Sequence, residues 1–156
     1  MSRKFEKISL EEFNKLGHAE VWYNDLELPK RATKYSAGYD IHVPFNMVLK
    51  AKETLKIPTL LKADMEENNV LLIDVRSSLG FKHNVRLTNT IAVIDKDYYN
   101  NPDNEGHIFI KLYNPNDYDI VFKANERIAQ GIFVRYDITD DDVADAERTG
   151  GIGSTN

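Results

Sequence analysis

The 156-residue chain contains no cysteine. Disulfides, thiol nucleophiles and cysteine-ligated zinc are therefore excluded from its chemistry. No apolar run approaches the roughly 20 residues of a membrane-crossing helix, so no membrane association is expected. The opening MSRKFEKISLEEF is charged and lacks an apolar signal core; with the absence of cysteine, this makes a cytoplasmic location the expectation. A basic surplus is also missing. Lys and Arg number 20 against 25 Asp and Glu, a formal charge of −5, and a duplex-binding face needs the opposite sign, so no direct nucleic-acid binding is expected. A small anionic ligand is still compatible with this charge, because a few local cations suffice for one pocket. Motifs of common chemistries are absent as well. There is no GxxxxGK[ST] or GxGxxG phosphate loop, no GxSxG elbow and no HExxH. The four histidines, His18, His42, His83 and His107, show no metal-ligand spacing.

What is present is ordinary for one soluble domain, with 42% hydrophobic and 29% charged residues, enough for a single core. Ser9, with Glu12 three residues on, has the capping-box pattern, and Leu10, Phe13 and Leu16 repeat at helical spacing before Gly17. A short N-terminal helix is expected there. Beyond it, short apolar or alternating runs recur: 21–23, 39–43, 54–57, 70–73, 91–94, 108–112, 120–122 and 128–134. Turn residues separate most of them, as in a β-sandwich, barrel or jelly roll. Residues 99–106, YNNPDNEG, read as a long hairpin loop. The acidic run Asp137 to Glu147 leads into a glycine-rich tail with too little apolar surface to dock by itself.

Four segments carry more polar chemistry than a plain strand needs, and each also fits a bland reading. Arg76-Ser77-Ser78-Leu79-Gly80 can bind an anion, or form an ordinary turn after a strand. Ile94-Asp95-Lys96-Asp97-Tyr98 can hold a water and pack a ring, or turn the chain. In Glu126-Arg127-Ile128-Ala129-Gln130, Arg127 reads as a structural ion pair and Gln130 as a neutral donor or a surface residue. Arg148 to Thr155 is an anion-binding arm or a plain terminus.

With Ala37-Gly38-Tyr39-Asp40-Ile41, these segments stand in the order of the five motifs of the trimeric dUTPase family, which the chain resembles from about residue 26 to its end: AGYDI, RSSLG, NTIAVIDKDY, ERIAQ and RTGGIGST. The short N-terminal helix lies outside the resemblance, and the chain is expected to divide into that extension (1–20), a β domain (21–140) and a flexible C-terminal arm (141–156). The resemblance implies an all-β fold, a distorted jelly roll. It implies a homotrimer, with each site built from three subunits and closed by the third subunit's arm, and hydrolysis of dUTP to dUMP and pyrophosphate with Mg²⁺. Residue by residue, Asp95 orients the attacking water and touches the 3′-hydroxyl. Tyr98 lies under the sugar and excludes a 2′-hydroxyl. Asn89 and the backbone at Ile94 read uracil. Arg76, Ser77, Ser78, Gly80 and Gln130 contact the triphosphate. Asp40 acts in the metal's outer shell. Arg148, Gly153, Ser154 and Thr155 close on the phosphates, and Ile152 covers the base.

The chain departs from the family pattern in places. Ala92 replaces a usual glycine, Thr149 follows Arg148, the arm is one residue short, Ile152 stands where an aromatic is common, and Asn156 replaces a final glycine. Two rival readings are a deoxycytidine triphosphate deaminase, which shares the fold, and a non-catalytic binding module. The IDKDY segment favours hydrolysis over deamination.

Overall fold

The computed structural model describes residues 2–155. In chain order the elements are β1 (Lys4–Lys7), α1 (Leu10–Asn14), α2 (Glu20–Asp25), β2 (Lys30–Arg31), β3 (Tyr39–His42), β4 (Met47–Leu49), β5 (Thr54–Pro58), β6 (Leu61–Asp64), β7 (Asn69–Val75), α3 (Ser77–His83), β8 (Arg86–Leu87), β9 (Ala92–Ile94), β10 (Phe109–Tyr113), β11 (Ile120–Phe122) and β12 (Arg127–Arg135). A 3₁₀ turn covers Lys96–Tyr98. This is the expected all-β jelly-roll type. The main sheet runs β2-β3-β12-β7-β9, a second runs β5-β10-β8, and β1-β6 and β4-β11 form two further pairs. All pairs are antiparallel.

Strand periodicity builds the core. In β7, Leu71 and Ile73 are fully buried while their neighbours Val70 and Leu72 stay partly exposed. The nine-residue β12 lies at the centre of the main sheet, with a register irregularity between Arg127 and Ala129. Burying each such aliphatic side chain stabilises the fold by about 1.5–3 kcal/mol.

At the N-terminus, Ser9 Oγ accepts from the Glu12 N–H at 3.1 Å, so the expected cap forms. Gly17, at φ +72°, follows the helical turn. The inward face is narrower than the spacing suggested: Phe13 is buried, Leu16 half-buried and Leu10 exposed. Residues 21–23, expected as strand, are helical instead. In α2, Trp22 packs edge-on against Phe45 at 6.4 Å, and Tyr23 packs on Phe13 at 5.3 Å while donating to the Ile8 carbonyl at 2.7 Å. These tertiary contacts override the β propensity of Val-Trp-Tyr. The sequence set residues 1–20 apart, but β1 is hydrogen-bonded to β6, and Ile8 and Phe13 enter the common core. The terminal segment is thus tied to the body.

Candidate active site

Two cavities carry most of the residues singled out by the sequence. The first is built on the hairpin between β8 and the 3₁₀ turn. Ile91 N–H reaches the Asn89 carbonyl at 2.7 Å, closing a tight turn over Thr90, whose φ of +68° is strained for a β-branched residue. β9 then pairs with β7, Asp95 precedes the 3₁₀ turn, and that turn swings Tyr98 inward. Asn89, Ala92, Ile94, Asp95, Tyr98 and Phe109 line a cavity of about 280 Å³. Tyr98 is buried; its hydroxyl donates to the His107 carbonyl at 2.7 Å and accepts from Asn104 Nδ2 at 2.8 Å. Burial raises the Tyr98 hydroxyl above the ordinary phenol range, against the opposing influence of Asn104 and Arg148, so it remains a neutral donor. The side chain of His107 is also buried. Burial, and next Lys56, push it down to about 4, and its Nε2 accepts from the Leu60 N–H at 3.1 Å.

The second cavity, about 530 Å³, lies where β7 ends and α3 begins. Asp74, Arg76, Ser77, Gly80 and Gln130 line it, whereas Ser78 does not. Arg76 Nε stands 3.3 Å from Asp40 Oδ1, and Arg127 Nη1 donates to Asp40 Oδ2 at 3.1 Å. Asp40 therefore holds two guanidinium groups, and the structural reading of Arg127 is the one observed. Gln130 sits in β12 between Asp40 of β3 and Asp74 of β7. Its amide lies across Gly38, where a Cβ would stand 2.5 Å from Gln130 Oε1. The glycine of the first segment thus makes room for the glutamine of the fourth.

The C-terminal arm reaches the first cavity. Arg148, its side chain only 10% exposed, donates from Nε to Asp97 Oδ1 at 2.7 Å and from Nη2 to Asp95 Oδ2 at 2.9 Å. Gly151 N–H reaches Asp103 Oδ2 at 3.2 Å. Arg148, Gly151, Ile152, Gly153 and Thr155 complete the wall. Ser154 turns away and donates to the Gly150 carbonyl at 2.8 Å. The tail was expected to have too little apolar surface to dock by itself; the hairpin carboxylates hold it through charge-assisted hydrogen bonds. The arm lies on the hairpin of its own chain, whereas the resemblance implied a third subunit's. Asn156 lies outside the described residues.

The two cavities share no lining residue. Ile94 is opposite Leu71 in the β7–β9 ladder, and Arg76 follows the far end of β7.

The sequence profile of the dUTPase family matches residues 24–156. The deoxyuridine 5′-triphosphate nucleotidohydrolase of Lactococcus lactis is 46% identical over 132 residues, covering 83% of this chain and 88% of that protein. This chain belongs to the dUTPase family. The dUTPase crystal structure from Streptococcus mutans has the same fold, with a TM-score of 0.72 and 39% identity over 87% of this chain and 98% of that one. A mutant dUTPase of phage phi11 of S. aureus shares the fold at 17% identity and a TM-score of 0.69, covering 94% and 98% of the two chains; that phage protein coordinates a structural Mg(II) ion.

Against the dUTPase pattern, the hairpin set of Asn89, Ile94, Asp95 and Tyr98 converges on one cavity, and the groove set of Arg76, Ser77, Gly80 and Gln130 on the other. Ile152 lines the hairpin cavity with 70% of its surface exposed. Among the described residues, no three His, Asp or Glu side chains stand together as a metal cage. With Asp40 held by two arginines, the donor set fits a cation carried by polyphosphate oxygens and reached through water. The sequence reading missed Asp97 as the second partner of Arg148, Phe109 in the cavity wall, and Asn104 on the Tyr98 hydroxyl. Asp97 was visible inside IDKDY. Asn104 carried no signal in its loop.

Proposed function

We propose that this dUTPase-family chain hydrolyses dUTP to dUMP and pyrophosphate. The observation that carries the reading is the placing of Asp95 on the wall of a cavity that also holds Tyr98, at the point where Arg148 arrives. Uracil enters the hairpin beside Asn89 and the backbone at Ile94, and the deoxyribose lies against the Tyr98 ring. Asp95 orients a water and takes its proton as the water oxygen bonds to the α-phosphorus. The bond from the α-phosphorus to its bridging oxygen then breaks, and pyrophosphate leaves. Arg148 exchanges its carboxylate partners for the leaving phosphates, which frees the Asp95 oxygen it covers. Arg76, Ser77, Gly80 and Gln130 supply donors to the triphosphate, with Ser78 beside them, and Thr155, Gly153 and Ser154 follow as the arm closes.

Mg²⁺, bound with the triphosphate and with Asp40 in its outer shell, would offset phosphate charge. In a homotrimer a second copy would bring its groove to the first copy's hairpin; that the two cavities of one chain share no lining residue supports this reading. Residues 137–147, if extended, span up to about 36–40 Å, so the arm can make its hairpin contacts on a neighbour, as in a domain swap. In this scheme the arm, 141–156, is the moving part, while residues 1–20 stay with the β domain. The reaction would remove dUTP before uracil enters DNA and supply dUMP for dTMP synthesis, in the cytoplasm.

The test is product analysis with Mg²⁺. Pyrophosphate and dUMP should form from dUTP, with little action on dTTP, dCTP or UTP. Ammonia released from dCTP, with no pyrophosphate from dUTP, would replace this reading with deamination.

A further inference from the structure

The loop 99–106 follows Tyr98 and is held from behind by the N-terminal segment. Three of its residues have left-handed backbone: Asn100 at φ +55°, Glu105 at +62° and Gly106 at +84°. Gly106 must be glycine, because a Cβ there would lie 2.7 Å from the Tyr98 carbonyl oxygen. Glu105 has no such freedom, and a long side chain at positive φ is uncommon and costs free energy unless its surroundings hold it. Its surroundings do. Ser9 N–H donates to Glu105 Oε1 at 2.8 Å, Ser9 Oγ donates to Oε2 at 2.6 Å, and Lys62 Nζ reaches Oε1 at 2.7 Å. Burial acts to raise this carboxyl, yet the Lys62 and Ser9 donors outweigh it and leave it below the usual range.

The same Ser9 explains an oddity of the cap. In a capping box the third residue of the helix reaches back to the cap's N–H. Here Glu12 instead pairs with Lys15, and the cap's N–H is taken by Glu105, 96 residues away. The first turn of α1 is thus completed by the loop. The other end of the loop is held in the same way. Glu6 and Lys62 are register partners in the β1–β6 pair. Glu6 accepts from the Tyr99 hydroxyl, and Lys62 reaches Asn100 Oδ1 at 2.8 Å. Inside the loop, Asn101 Nδ2 holds Asn104 Oδ1 at 2.8 Å and the Tyr98 carbonyl at 2.8 Å. Asn104 in turn donates to the Tyr98 hydroxyl. A continuous set of polar contacts therefore runs from residues 6–9 to the ring in the nucleoside cavity.

We propose that Glu6 and Ser9, acting through the loop and chiefly through Glu105, are positioning residues that set the height of Tyr98 against the sugar and so the preference for 2′-deoxyribose. This rests on the placing of Tyr98 beneath the sugar in the proposed function. Among the described residues, the Glu105 side chain is held by Lys62 of β6 and by Ser9 of the N-terminal segment. A displaced loop moves Asn104, and a sub-ångström gap beneath the ribose suffices to admit a hydroxyl.

Glu105→Gly is the discriminating variant. Glycine accepts φ +62° without strain, so the loop backbone survives while its anchor is removed. Calorimetric titration of the full-length protein with dUMP and with UMP reads the selectivity directly, whether or not the chain is catalytic. The ratio of the two dissociation constants should fall at least tenfold in Glu105→Gly, in protein shown by circular dichroism to be folded at the titration temperature. Ser9→Ala should shift the ratio in the same direction by less, and Glu105→Gln should recover part of it by keeping one acceptor for Ser9. Unchanged ratios in Glu105→Gly would overturn the proposal. If the parent binds dUMP selectively but does not hydrolyse dUTP, the function reading fails while the positioning role is still decided by these ratios.

Discussion

His107 makes the stability of this protein depend on acid in a calculable way. The unfolded ring titrates near 6.5, and in the folded chain burial lowers it to about 4. Between these values the unfolded chain binds a proton that the folded chain refuses. The group therefore favours folding less as pH falls, and its penalty begins below about 6.5 and is complete once pH passes below about 4. The full difference corresponds to about 3 kcal/mol, and about 2 kcal/mol of it is lost between pH 7 and pH 5. The cost has a structural meaning. A second proton on the ring would strip the Leu60 N–H of its acceptor and place a cation in the core, directly behind the carbonyl that receives the Tyr98 hydroxyl. His42 is lowered by burial as well, so the wild-type slope alone does not isolate His107. His107→Gln does, because it retains an acceptor for Leu60 and removes the titrating ring. Urea unfolding at one fixed subunit concentration, at pH 7 and pH 5, measures both proteins. The wild type should lose about 2 kcal/mol more than the variant over that interval. Parallel losses would refute the assignment of His107 as a neutral buried ring.

Three further outcomes are expected. Asp95→Asn should lower turnover by about 10²–10⁴-fold while dUMP binding persists, measured by pyrophosphate release and calorimetry; near-normal turnover would remove Asp95 from its role. Gly38→Ala should displace the Gln130 amide, since the added methyl would overlap Oε1, and so raise KM for dUTP more than it lowers stability; an unchanged KM would show that Gln130 does not serve the triphosphate. Mixing inactive Asp95→Asn and Arg148→Ala chains, after subunit exchange, should restore activity if the arm crosses between subunits, and a mixture as inactive as its parents would place each arm on its own hairpin.

Periodicity made most of the long strands legible. The apolar runs 70–73 and 108–112 form β7 and β10, and which of their residues face inward appears only in the fold. The short strands β1, β2, β4, β6 and β8 were not singled out, and they are strands through the partners the fold gives them. Residues 21–23 failed for the opposite reason. Their local preference was for strand, and the contacts of Trp22 with Phe45 and of Tyr23 with Phe13 and Ile8 outweighed it.

The sequence by itself determined the inventory of the site: Asp95 and Tyr98 together, Arg76 with Ser77 and Gly80, Gln130, and an arm with one arginine among glycines. Those are residue types whose chemistry is intrinsic and whose order along the chain carries the family pattern. Only the tertiary structure decided what each side chain meets. It gave Asp40 two arginines, put the Gln130 amide in the space left by Gly38, set Asp97 beside Asp95 as a seat for Arg148, and brought Ser9 to Glu105. Hydrogen bonds and ion pairs act over about 3 Å, and Ser9 and Glu105 are 96 positions apart in the chain. Such pairs exist only once the β1–β6 and β7–β9 ladders have brought distant segments together, and no local pattern in the sequence records them.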